Sequence, residues 1–329
     1  MPTSTDQSDQ SDIRMTDRTI TVRQYQLAAR WLVPAGQRDF ETAGVGARHA
    51  VPLRRRPGLQ KSANAEMDRK MPFPEGHNSK AAGPVLVFLH EGLGSISAWG
   101  DFPLQLVAAC GLPGFLYDRL GHGRSDPLPS AQTDPDYIEQ EAWGFLPRVL
   151  DQCAIGDAIL IGHSDGGTIA LMYAARYPEA VAGIVTEAAH IYVEEITRRG
   201  IREVVDAYRR GELRARLQKH HDADLDGLFE RWSATWLSDA FADWNIQGLL
   251  SRVRCPVLAI QGEKDAFATP RHLADIAAGV GGPARSLLVP GAGHIPHHQR
   301  RAAVMAPMRT FIHAVVAGNG ASGAASLTD

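Results

Sequence analysis

The sequence predicts an α/β protein built on a doubly wound, mostly parallel sheet, and three observations carry that expectation. From residue 84 onward short β-rich runs alternate with helical stretches. The first run, Val85–Leu89, is apolar at every position, which is the pattern of a parallel strand buried on both faces. A turn of small residues, Gly162-His163-Ser164-Asp165-Gly166, joins a later apolar run to an apolar helical stretch, as a tight strand-to-helix junction requires.

In chain order, residues 1–17 are polar and low in complexity and are expected to be disordered. Residues 20–33 mix β-branched, aromatic and polar side chains and suit a leading strand or hairpin. Residues 35–83 hold Arg54, Arg55 and Arg56, several Pro and Gly, and no sustained period; they read as a long insertion or mobile loop. The arginine run is either a solvated charge run or a patch for an anion or partner. Core strands are expected at Val85–Leu89, Gly114–Tyr117, 158–161, 181–185, 257–261 and 286–289. Helices are expected at 136–152, 168–176 and 299–316, with right-handed crossovers. The charged segment 190–250 carries Trp232, Trp236 and Trp244 and reads as a helical lid over the carboxyl ends of the strands, where ligands bind in open α/β sheets. The layout is thus an N-terminal extension (1–83), a core (84–189 and 251–316), a lid inserted after the strand ending near Glu187 (190–250) and a flexible tail (317–329).

Composition narrows the function classes. The chain has 329 residues, 44% of them apolar, enough for a sizeable core. A formal charge of −3 gives no basic excess, so no nucleic-acid partner is expected. Cys110, Cys153 and Cys255 are odd in number and far apart, which argues against a disulfide framework and for a reducing, cytoplasmic setting. The opening MPTSTDQSDQSD lacks the features of a secretory signal, and no apolar stretch long enough to span a bilayer occurs, so no membrane partner is expected.

The chemistry is concentrated in three loops. Ser164 lies on the Gly-x-Ser-x-Gly turn, where glycines at 162 and 166 remove Cβ atoms from the strand–helix approach and the helix N-terminus favours negative charge. A serine needs a base and a carboxylate to orient that base. Asp265, in Gln261-Gly262-Glu263-Lys264-Asp265, and His294, in Gly291-Ala292-Gly293-His294, follow at the ends of the next strands, in the order serine, acid, histidine. Glu263 and Glu187 are rivals for the acid. His297 and His298 read as rim or surface residues; no HExxH helix or cysteine pair accompanies them, so no metal site is expected. An oxyanion needs backbone donors: Asp165 N–H, and Gly92 N–H with Leu93 as the alternative, from the loop His90-Glu91-Gly92-Leu93-Gly94. His90 is expected to brace that loop, and Asp118-Arg119-Leu120-Gly121-His122-Gly123-Arg124-Ser125 to form a structural turn beside the nucleophile.

Together HEGLG, DRLGHGRSD, GHSDGG, QGEKDA and GAGH resemble, in order, the signposts of the α/β-hydrolase superfamily over about residues 84–316. The S-D-G-G elbow and the acid loop are similar to those of valacyclovir-hydrolase-like esterases. The resemblance implies the α/β-hydrolase fold and acyl transfer through Ser164, with His294 as base and Asp265 as its orienter. Two departures stand out: Glu91 replaces a usual glycine, and the first 83 residues match nothing recognisable. Asp165, Glu91, Glu187 and His190 are candidates to read a cationic or polar acyl group; the alternative for Asp165 is that its side chain turns away and caps the helix. The expected reaction is hydrolysis of a small to medium ester or lactone, with no cofactor. The alternatives are C–C or amide hydrolysis by the same residues, or a non-catalytic receptor. Epoxide hydrolase and dehalogenase chemistry is disfavoured, because those proteins carry aspartate where this chain has Ser164. Lids of this fold often pair, so a homodimer is the assembly to test.

Overall fold

The computed structural model describes residues 12–37 and 83–318, other than positions 131 and 223. The expected loop at 35–83, the Arg54–Arg56 run and most of the tail lie outside the described residues.

Eight strands form one sheet: β1 (Ile13–Val22), β2 (Tyr25–Pro34), β3 (Val85–Leu89), β4 (Gly114–Tyr117), β5 (Ala158–His163), β6 (Val181–Glu187), β7 (Val257–Gly262) and β8 (Ala284–Val289). Their order is β1-β2-β4-β3-β5-β6-β7-β8. β1 and β2 are antiparallel, as are β2 and β4; every later pairing is parallel. Helices cover both faces. On one side β3 buries Val85, Val87 and Leu89 against α4 (Asp165–Arg176). On the other, Leu86 and Phe88 meet α1 (Phe102–Cys110) and the last helix, α11 (Arg301–Val316). A strand clothed on both sides has no polar positions, which explains its all-apolar sequence.

The helical stretch at 136–152 divides into α2 (Tyr137–Gln140), a π-helical turn (Glu141–Phe145) and α3 (Leu146–Gln152). Between β6 and β7 lie α5 (Glu195–Arg209), α6 (Glu212–Leu217), α7 (Leu225–Leu237) and α8 (Gln247–Leu250). The base of this insertion is closed where Tyr192 bridges Asn245 and Ile246 N–H donates to Ile191 O at 2.8 Å. Then come α9 (Arg271–Gly279), β8, and α10 (Pro296–Gln299) before α11.

One expectation is corrected. Residues 13–17, read as disordered, belong to β1. Its side chains are mostly exposed, so no apolar pattern marks it. Its order comes from ten paired residues on β2 and from Asp17, which accepts from Arg30 Nε at 2.6 Å and Arg124 Nη2 at 3.0 Å.

Candidate active site

The strand ends bring Ser164, Asp265 and His294 together. Ser164 stands between β5 and α4 with φ 52° and ψ −117°, a strained conformation of the sort that costs about 1–3 kcal/mol and survives where surroundings over-determine it. Here Ser164 N–H donates to Glu187 O at 2.8 Å, and Ser164 O accepts from Gly167 N–H at 2.9 Å. The turn admits only glycine at its flanks. A Cβ on Gly162 would lie 2.2 Å from Gly166 O, and one on Gly166 would lie 1.9 Å from Leu89 O.

His294 Nε2 is 3.0 Å from Ser164 Oγ, and its Nδ1 is 2.9 and 3.0 Å from the two Asp265 oxygens. Asp265 also accepts Phe267 N–H at 2.8 Å. Burial pushes Asp265 up, but the His294 ring and these hydrogen bonds outweigh it and hold its pKa below the usual value. Burial pushes His294 down, yet Asp265, with Glu91 and Glu187, outweighs that and raises it above 6.5. Neither rival acid reaches the ring: Glu263 accepts from Gly291 N–H at 2.8 Å, and Glu187 accepts both the backbone N–H and Nδ1 of His297, each at 2.8 Å.

His297 is therefore corrected from a rim residue to a buried one. Burial pushes Glu187 up, and the contact with His297 overcomes this and lowers it. His163 Nε2 lies 2.8 Å from His294 O. Burial drives His163 down to about 3, so the ring is neutral and donates through Nε2. The His294 loop is thus tied down at His294 and at His297. The three histidines of His294-Ile295-Pro296-His297-His298 face three partners, Asp265, Glu187 and Ala98 O.

The loop after β3 is fixed through its carbonyls. Glu91 O accepts from His90 Nδ1 at 2.8 Å and from Arg119 Nη2 at 2.7 Å. Gly92 O lies 3.0 Å from His122 Nε2, and Leu93 O accepts from His221 Nε2 at 2.9 Å. Burial keeps His122 neutral, so its one ring N–H serves either Gly92 O or Leu120 O, also 3.0 Å away. Leu93 N–H donates to Glu91 Oε2 at 2.5 Å. Among the described residues, Gly92 N–H and Asp165 N–H have no hydrogen-bond partner. A Cβ on Gly92 would lie 2.3 Å from Trp232 Nε1, so a side chain there would displace the indole.

The remaining acids have protein partners. Asp165 is buried, accepts from Tyr137 OH at 2.8 Å and lies 3.7 Å from Arg119 Nη2; Tyr137 OH in turn accepts from Trp236 Nε1 at 2.7 Å. Ser164 at the N-cap makes no side-chain cap, and the Asp165 side chain is spent on these groups. Burial raises Asp165 and Glu91 above the usual carboxylate range. His190 is buried, its Nε2 faces Phe267 O at 3.1 Å, and its ring centre is 5.8 Å from that of His294. Sequence reasoning missed Arg119, Tyr137, His163 and His297. Arg119 carried a usable signal, a charged residue one position past the Asp that closes a buried strand, where α/β sheets place their sites.

The family model for the alpha/beta hydrolase fold matches residues 84–221. The chain is 29% identical over 214 residues to human serine hydrolase BPHL, covering 62% of this chain and 65% of that protein. It is 35% identical over 115 residues to 2-(acetamidomethylene)succinate hydrolase of Mesorhizobium japonicum, covering 35% and 39% of the two chains. The match thus spans just under two thirds of the first relative and well under half of the second. Among solved structures, the enol-lactonase from Burkholderia xenovorans LB400 superposes with a TM-score of 0.60 at 17% identity, over 90% of this chain and 100% of that one, a likeness of fold. Sheet order, the partial family match and structural likeness agree that the chain has the α/β-hydrolase fold.

Proposed function

We propose that the protein is a serine hydrolase that cleaves a small to medium carboxylic ester or lactone through an acyl-enzyme on Ser164. The observation that carries this is the 3.0 Å contact from Ser164 Oγ to His294 Nε2, with Asp265 bound to the other ring nitrogen. His294 Nε2 takes the hydroxyl proton as Oγ attacks the carbonyl carbon. Negative charge develops on the carbonyl oxygen and is met by the uncommitted N–H groups of Gly92 and Asp165; Leu93 N–H is already used by Glu91. Protonated His294, stabilised by Asp265, then hands its proton to the departing alkoxide, leaving the acyl group on Ser164. A water gives up a proton to His294 as its oxygen attacks the acyl carbon; the acyl–Oγ bond then breaks, His294 returns the proton to Ser164 Oγ, and the acid leaves. Similarity to a relative named serine hydrolase supports the nucleophile assignment.

Covalent labelling by a fluorophosphonate, with mass spectrometry of the modified peptide, tests the assignment. Labelling at Ser164 that disappears in Ser164→Ala, together with turnover of p-nitrophenyl acetate, is expected. Absence of both labelling and ester turnover in the wild type refutes it.

A further inference from the structure

A cavity of 340 Å³, at the lower end of the range for small-molecule sites, opens where the loop after β3 meets the turn after β4. Gly92, whose N–H is the proposed oxyanion donor, lines it with Arg119; residues 23–25 of the β1–β2 turn, the stretch leading to Asp134, residues 137–145 and the 228–235 face of α7 form its other walls, and Ser164 itself is not in the lining. Its charged lining consists of Arg23, Arg119, Arg231, Asp134 and Glu141. Arg231 and Asp134 neutralise each other at 2.6 Å. That leaves two guanidinium groups facing one carboxyl. Glu141 is itself satisfied by Tyr117 OH at 2.6 Å, and its burial, the largest influence, raises its pKa toward the neutral form.

Arg119 is 3% exposed, yet its donors are mostly unspent. Nη2 donates to Glu91 O and lies 3.7 Å from Asp165. Nε has no partner, and among the described residues Nη1 makes no hydrogen bond. Three of the five guanidinium N–H groups are therefore free in a group already removed from water. A buried donor without a partner is costly, and a charged acceptor arriving there makes strong, charge-assisted bonds. Asp165 lies on the Nη2 side and satisfies none of these three donors.

We infer that the cavity binds a carboxylate carried by the substrate, with Arg119 as its receptor and Arg23 as a second cation. The substrate class is then an anionic ester or lactone, such as a half-ester of a small dicarboxylic acid, with the scissile carbonyl at the Gly92 end. This rests on the hydrolase reading above. Arg119 is a specificity-determining residue that also braces Glu91 O, so its loss lowers turnover of every ester; selectivity between esters is the informative readout.

The test compares monoethyl glutarate, monoethyl adipate and monoethyl suberate, each with its neutral primary-amide isostere. Wild type is expected to favour the acid in at least one pair by about tenfold or more in kcat/KM, mainly through KM. Arg119→Met is expected to shrink that preference to within about twofold, while Arg119→Lys retains part of it. Equal efficiency for acid and amide at all three lengths, or a preference unchanged in Arg119→Met, overturns the inference. Should Arg119→Met not fold, wild type alone decides. Free glutarate or adipate should inhibit p-nitrophenyl acetate hydrolysis competitively while the diamides do not, and equal inhibition by both overturns the proposal. If Ser164 is neither labelled nor active, the hydrolase reading fails. The carboxylate site is then judged separately, by whether the dicarboxylates raise the Tm of the wild type and the diamides do not; no rise with either sinks it.

Discussion

Replacing Asp265 by Asn probes the central feature of the site with almost no change of shape. Both carboxylate oxygens face His294 Nδ1, at 2.9 and 3.0 Å, and Oδ1 also accepts Phe267 N–H. A carboxylate only accepts, so Nδ1 carries the ring proton and Nε2 is the bare base facing Ser164. Asparagine has one acceptor. With that oxygen on Phe267 N–H, its NH2 takes the place of Oδ2 at 3.0 Å from Nδ1, where two donors would oppose each other, and this favours the ring tautomer protonated at Nε2. The ring then donates to Ser164 and takes nothing from it. In the Ser-His-Asp hydrolases the wrong tautomer costs about 10⁴ in kcat, or about 5 kcal/mol at 1.36 kcal/mol per decade. The pH profile should move as well. Burial is the largest influence on His294 and lowers it; Asp265 is foremost among the groups that raise it above 6.5. The active ring is neutral, so wild-type kcat/KM falls as pH drops through a point above 6.5. Without the Asp265 charge, burial meets weaker opposition, from groups such as Glu91 and Glu187, and this acid limb shifts to lower pH. Steady-state rates on p-nitrophenyl acetate across the acid limb, for both proteins, supply both numbers. A loss below about tenfold, or a limb that stays in place, refutes the role given to Asp265.

Two further substitutions read the scaffold. His297→Ala removes the ring that meets the buried Glu187 carboxylate but keeps the backbone N–H, so a loss of about 1–3 kcal/mol in urea unfolding is expected at neutral pH. The lowered pKa of Glu187 means that its pair stabilises the wild type above the ordinary carboxylate pKa, and that this contribution fades as pH falls through the folded value. The variant's deficit should therefore narrow in acid, and a deficit independent of pH contradicts the pairing. Gly166→Ala places a Cβ 1.9 Å from Leu89 O, so a loss of about 3 kcal/mol or failure to fold is expected. Wild-type Tm in that variant contradicts the tight junction between β5 and α4.

Ser164, Asp265 and His294 were legible because each belongs to a local pattern: an apolar strand, then a turn of small residues, then a reactive side chain. A parallel sheet sets all its carboxyl ends on one edge, so strand order alone brings together residues 130 positions apart. What stayed hidden depends on contacts between distant segments. His297 looks like a surface residue in HIPHH and is buried only because Glu187, 110 residues earlier, reaches its backbone and ring. β1 has no apolar period, since an edge strand is held by backbone pairing rather than by burial. The choice between Gly92 and Leu93 was likewise open in the sequence, and it turns on where one side chain, Glu91, places its oxygen.

Glu91 stands where the superfamily usually has glycine, and the loop around it shows how the departure is accommodated. In a trans peptide the C=O of one residue and the N–H of the next point in opposite directions. Arg119 Nη2 and His90 Nδ1 hold Glu91 O, so the Gly92 N–H is aimed away from both. The Glu91 side chain then folds back onto Leu93 N–H, removing the competing donor. His221, from the insertion between β6 and β7, holds Leu93 O. Orientation of the proposed oxyanion donor is therefore shared among the turn after β4, the loop's own glutamate and the insertion. On this geometry Arg119 has two functions on opposite sides of one guanidinium: Nη2 sets the direction of the Gly92 N–H, while the unspent donors meet the carboxylate assigned to the cavity. Turnover and substrate selectivity should therefore both respond to Arg119, the first for every ester and the second only for acidic ones.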